Sequence, residues 1–370
     1  MRTILLLIVF PLFSLFAQSP RGAESIKLTD LSSMMELVDE ANVESSLRHF
    51  LRVSAPTRYH GSIGYRQAKQ FIIDVIKEKQ LDKSEMLIIN DFTPDIDYSV
   101  NLMQKDFQQL VVGQIPENSP EYRKWENYTN SFVRLLNGLR AVKGANIIWE
   151  KKGLQLDAPA LLIVAHYDTV AINKDTMTVL PNLQTQGADN NASGVIAALQ
   201  LIRVLQKVQL KRTVRVAFLD LEAVGFLGSR ELAKNSDTKE LAGVINLLML
   251  GHDRLAQDKI KQLGNRRLYG RENSALDAQL ASYFINKGDS AEKSIKCSFI
   301  GNSFRQGSAF TFWEKSIPGL VFSHDWENDS NEERSFTADD FIETLNLKTF
   351  ANSIKYITAG VLAWSLDLKP

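Results

Sequence analysis

The sequence predicts an α/β fold with a mostly parallel central sheet covered by helices on both faces, and three observations carry that expectation. Short apolar runs recur from residue 145 onward: "ANIIWEKKG", "ALLIVAHYD", "VRVAFLDLE", "GVINLLMLG" and "PGLVFSHD". The runs are continuously apolar and do not alternate, as strands buried on both faces are. Helical stretches such as "ASGVIAALQLIRVLQKV" from Ala192 and "ALDAQLASYFINKG" from Ala275 separate them, the order that builds parallel sheets. The chain has 370 residues, 44% of them hydrophobic, enough for a large core.

In chain order, Arg2 precedes the apolar run "ILLLIVFPLFSLF" and then the small, polar "AQSPRGAES". This reads as a secretory signal peptide over residues 1–19. The run is short of the roughly 20 residues of a spanning helix and Pro11 interrupts it. No membrane span is expected once the signal is cleaved, and an uncleaved anchor is the alternative. Export to a periplasm or the medium follows. The single cysteine, Cys297 in "SIKCSFI", permits no internal disulfide and reads as a packed strand residue. Residues 25–370 are expected to form one domain. Within it, "YRQAKQFIIDVIKEK" from Tyr65 places Ala68, Phe71, Ile72, Val75 and Ile76 on one helical face. Residues 92–142 break the strand and helix rhythm and predict an insertion over one edge. Lys plus Arg equals Asp plus Glu at 43 each, so no net field would gather nucleic acid.

Sites in such folds lie at the carboxyl ends of strands, and three polar clusters fall there. "AHYDT" puts His166 and Asp168 just beyond "LLIV"; "GADNNASG" puts Asp189 in a loop opening a helix; Glu222 closes "VRVAFLDLE". An imidazole and carboxylates at one sheet edge suit a hydrolytic zinc site, with a further Glu as general base. Taken singly, His166 also reads as a hydrogen-bonded structural residue and Asp189 as a helix cap.

In order, "APTRYHGSIGYRQAKQFI", "AHYDTV", "GADNNASGV", "VGFLGSREL", "FWEKSIPGL", "SHDWEND" and "TADDFIETLN" resemble the secreted co-catalytic dizinc aminopeptidases. The resemblance covers most of the mature chain and implies a zinc-aminopeptidase-like α/β fold and a hydrolase ancestry. It implies five ligand positions. His166 matches the first, with Asp168 orienting it, and Asp189 matches the bridging carboxylate. Glu222 matches the general base. The remaining three positions hold Ala223, Leu248 and Phe336, or Ser335 in another gap placement, and the family's S-D-H stretch is Gly307, Ser308 and Ala309. Three of the five cannot bind zinc.

The expectation is therefore an exported aminopeptidase-like protein with lost or much reduced peptidase activity. His166 and Asp189 are remnant ligands, zinc is absent or weakly held, and the role is to bind a peptide or protein ligand. The alternative is an active metal-dependent aminopeptidase with a rearranged single-metal site using His324 or His252. A metal-free hydrolase would need Ser229 or Ser308 paired with a His base, which the sequence does not assign. His49 and His60 read as structural or surface residues.

Overall fold

The computed structural model describes residues 34–181, 183–254, 263–302 and 307–368, so the expected signal segment lies outside the described residues. Helix α1 (Glu40–Val53) opens on Asp39, which accepts from Asn42 N at 2.8 Å. Helix α2 (Ile63–Lys77) opens on Ser62, which accepts from Tyr65 N at 3.0 Å, each cap satisfying an otherwise orphaned donor. Helix α2 buries Ala68, Ile72 and Ile76, with Phe71 and Val75 partly covered.

Strand β1 (Glu85–Phe92) leads into two helices, α3 (Ile96–Leu110) and α4 (Pro120–Gly138), and then β2 (Gly144–Lys151) and β3 (Ala160–His166). A small hairpin, β4 (Ala171–Asn173) with β5 (Thr178–Leu180), precedes α5 (Gly194–Leu205) and β6 (Val214–Leu219). The chain continues through α6 (Leu227–Lys234), β7 (Leu241–Leu247), β8 (Gly264–Gly270), α7 (Ala275–Ala291) and β9 (Ile295–Gly301). It closes with α8 (Phe310–Trp313), β10 (Gly319–Ser323) and α9 (Leu347–Ser365).

The eight-stranded sheet runs β1-β2-β6-β3-β7-β10-β8-β9. Strands β6, β3, β7 and β10 form its parallel centre, with antiparallel pairings at β1–β2, β2–β6 and β10–β8. The sheet is mixed but mostly parallel, as the apolar runs predict. Alternate residues of β3 explain why both faces are covered. Leu161, Ile163 and Ala165 pack toward α1, α2, α5 and α9, while Ala160, Leu162 and Val164 pack toward α6 and α8.

Three sheet strands fall outside the apolar runs quoted above. In β8 the reason is Arg266, buried within the strand because it donates to Ser353 Oγ at 2.8 Å, His252 O at 3.1 Å and Leu250 O at 2.6 Å. Strand β1 lies at the sheet edge and is half exposed. Strand β9, the opposite edge, carries Cys297 partly buried.

Candidate active site

The four central strands are parallel, so their carboxyl ends deliver His166, the Asp220–Glu222 turn, Leu248 with Met249, and His324 to one edge of the sheet. A cavity of about 420 Å³ opens there. Its floor includes His166, Asn190, Glu222, Ala223, Leu248 and Phe336; Met103 of α3 and Trp125, Tyr128 and Phe132 of α4 also line it. Residues 96–138 therefore cover the mouth, held by an apolar cluster joining Ile96, Phe132 and Leu136 to Val170, Leu221 and Val224. Non-glycine residues with left-handed backbones gather around the cavity: Leu221 (φ 54°), Phe226 (φ 59°), Met249 (φ 52°) and Phe336 (φ 63°). Strain of this kind collects where surrounding structure fixes side-chain directions.

His166 is buried, and burial first, then the Arg58 charge, push its pKa down to about 3. The Asn190 side chain lies beside the ring and acts in the opposite, raising direction, and Asn190 Nδ2 donates to Ser335 Oγ at 2.9 Å. Arg58 is fully buried and spends its guanidinium on three carbonyls: Tyr167 O at 2.8 Å, Gly187 O at 2.9 Å and Gln186 O. It fixes the end of β3 against the loop that carries Asn190, a role no sequence pattern signalled.

Asp168 does not orient His166 by any hydrogen bond seen here. Its oxygens accept from the backbone N of Glu222 at 3.1 Å and of Ala223 at 3.0 Å, so it holds the turn that aims Glu222. Burial, followed by the neighbouring Asp220 and Glu222 charges, raises its pKa well above the usual carboxylate range. Glu222 Oε2 accepts from Ser229 N at 3.0 Å, at the start of α6. Ser308 lies alongside, yet Oε1 makes no hydrogen bond of good geometry although it is buried. Burial raises the Glu222 pKa as well, against the lowering effect of the two serines.

Asp189 is placed differently from the expectation. Its carboxylate accepts from Gly251 N at 2.7 Å, Asn331 Nδ2 at 2.8 Å and Ser193 Oγ at 3.3 Å. It is fully buried and is not among the cavity-lining residues. Asn190, the next residue, faces His166 instead. The local backbone accounts for this: Asn190 (φ −106°, ψ 85°) and Asn191 (φ −137°, ψ 40°) are non-helical, so the turn presents residue 190 where an uninterrupted helix start would present another. The two candidate replacement histidines are also committed elsewhere. His252 Nε2 lies 2.9 Å from Asp329 Oδ1, and His324 Nδ1 lies 3.2 Å from Met249 O. Neither lines the cavity.

A catalytic zinc takes three protein ligands plus water. Around His166 the cavity offers an amide at Asn190 and one carboxyl at Glu222, while Ala223, Leu248 and Phe336 carry no donor atoms. Among the described residues, no group of three or more His, Cys, Asp or Glu side chains is placed to hold a metal ion. The donor set present does not fit a zinc site.

The chain matches the family model of Peptidase family M28 over residues 146–361. It is 27% identical over 224 residues to Aminopeptidase YwaD of Bacillus subtilis (strain 168), a match spanning 58% of this chain and 44% of that protein. The chain thus spans less than half the length of this curated relative. Among solved structures it is similar to the LapA aminopeptidase of Legionella pneumophila, with a TM-score of 0.64 at 15% identity over 95% of this chain and 79% of that one. It is also similar to the zinc aminopeptidase BSAP from Bacillus subtilis, with a TM-score of 0.61 at 15% identity over 90% and 96%. At such identities the structural likenesses establish the fold, and the family match, covering more than half of the chain, establishes the ancestry. The chain belongs to Peptidase family M28.

Proposed function

We propose that this protein is an exported member of the peptidase family that binds a peptide or protein ligand in the cavity without zinc-dependent hydrolysis. The observation that carries the reading is the chemistry of the cavity floor, where Ala223, Leu248 and Phe336 present apolar surface beside His166. A metal shell replaced by apolar groups of suitable shape leaves a stable, packed fold, and Leu248 is buried here with Met249, Tyr269 and Val321. Glu222 remains aimed into the cavity, and Asp168 holds its turn. For this reading His166 is a remnant ligand partnered by Asn190, with Asp189 supporting the loop from behind.

The test is elemental analysis of the purified protein after dialysis, together with an amino-acyl arylamide cleavage assay with and without chelator. The expected result is no stoichiometric zinc and no chelator-sensitive cleavage. One tightly held zinc per chain with such cleavage would overturn the reading in favour of a rearranged site, with His324 and His252 the first residues to substitute.

Export rests on the charged start and the short apolar run of the sequence. Among the described residues, no helix is long and apolar enough to cross a membrane. Mass spectrometry should place the mature N-terminus between residues 18 and 25; an intact Met1 would mean that the segment is kept.

A further inference from the structure

The cavity combines an apolar body with one unsatisfied polar atom, and together these define what would fill it. Its size falls in the range of small-molecule sites and accommodates a ligand of one or two residues' bulk. Aromatic and thioether side chains, among them Trp125, Phe132, Met177 and Trp326, form much of its wall. Set into the floor, Glu222 is 3% exposed and its Oε1 makes no hydrogen bond of good geometry, with Ser308 as its polar neighbour. A buried polar atom left unpaired costs free energy that a ligand can recover.

A ligand cation is disfavoured on two counts. The floor positions beside His166 are apolar, so an ammonium would be stripped of water with at most one carboxyl to meet it. At the rim, Lys174 Nζ lies 5.9 Å from the Phe336 ring, and the Arg230 guanidinium lies 5.0 Å from Tyr98 and 5.4 Å from Phe310. The Phe336 and Phe310 faces are therefore already occupied by the protein's own cations. Asp106 and Glu332 share the rim with them, which leaves no net field to draw in a charged ligand.

Resting on the non-hydrolytic reading above, we infer that the cavity selects a neutral apolar group bearing an amide, such as an amine-blocked aromatic or branched residue, in preference to a free ammonium. An amide carries both an N–H and a C=O. It can satisfy Glu222 Oε1 whether the carboxyl accepts or donates, whereas a cation satisfies only the ionised form.

The experiment uses the full mature chain and two probes of similar shape, N-acetylphenethylamine and N-isopropylphenethylammonium chloride, read by calorimetry and by Trp fluorescence. The acetylated probe is expected to bind about tenfold tighter or more, the scale of one poorly compensated buried charge. Ala223→Asp, at a half-buried lining position, should reverse the preference by supplying the missing charge. Leu248→Asp should do the same and serves as the second variant if the first misfolds. Equal or tighter binding of the ammonium probe by the wild type, binding of neither probe, or an unchanged preference in both folded variants would overturn the inference. Zinc is measured on the same samples. A metal-free protein that prefers the ammonium sinks this inference alone, whereas a zinc-loaded one sinks the non-hydrolytic reading.

Discussion

Replacing Asp340 by Asn should change the pH dependence of stability in a way that isolates one buried carboxyl. Asp340 is fully buried and accepts from Asp189 N at 2.8 Å and Asn190 N at 2.9 Å, holding the loop that presents Asn190 to His166. Burial, then the adjacent Asp189 charge, push its pKa up to about 7 from an ordinary value of 3.8. A carboxyl raised in the folded state contributes stability that is fully present below its unfolded pKa and is lost as pH rises through the folded one. The loss is about 1.4 kcal/mol per pH unit, so roughly 3 kcal/mol disappears between about pH 5 and pH 7. Asp340→Asn cannot titrate. At about pH 5 the variant should be the less stable protein by about 1–2 kcal/mol, because its amide nitrogen must face a backbone N–H. Toward about pH 8 the gap should move by about 3 kcal/mol in the variant's favour. His166 and His324, buried with lowered pKa values, lose stability in the opposite direction, as pH falls below the ordinary histidine range. They do so in both proteins and cancel in the difference. Urea unfolding at about pH 5, 6, 7 and 8 measures it; stability curves that stay parallel across that window would refute the assignment of the proton to Asp340.

Three other predictions concern the same edge of the sheet. Arg58→Met should destabilise by about 3 kcal/mol or more in urea unfolding, because the carbonyls of Tyr167, Gln186 and Gly187 lose their charged donor; a loss below about 1 kcal/mol would mean that water replaces it. Gly194→Ala should cost about 2 kcal/mol or more, since its Cβ would meet the Asn191 side chain at 2.4 Å and Leu247 O at 2.5 Å; thermal unfolding unchanged from wild type would show that the loop yields. Asn190→Asp combined with Ala223→Glu, Leu248→Asp and Phe336→His should take up zinc, whereas the same variant retaining Asn190 should take up far less. Equal uptake by the two, measured by elemental analysis, would return the bridging role to Asp189.

The central strands were legible because burial on both faces leaves mostly apolar residues for β3, β6, β7 and β10. The ordered motifs point to His166 and Glu222, and both line the cavity. What stayed hidden depends on backbone direction or on long-range pairing. In "ADNNAS" three consecutive residues could face the cavity, and only the break in helical geometry at Asn190 and Asn191 selects one. Arg58 and Asp340 lie within quoted motifs, yet their partners are backbone atoms 109 or more residues away, which no local pattern encodes. Strand β8 hides behind Arg266, whose buried charge has its acceptors on other segments. The helices over the cavity mouth read as an insertion from their broken rhythm, but their inward aromatic face needed the fold to give it a direction.

The buried Arg58 guanidinium behind His166 separates two responses to acid. With its pKa near 3, the imidazole keeps the same uncharged form across mildly acidic and neutral surroundings, so His166 offers a ligand the same donor and acceptor throughout. Asp340, which holds the Asn190 loop from the segment between β10 and α9, gains its proton over that range. Acidification would thus tighten the support beneath the cavity while leaving the imidazole of His166 as it was.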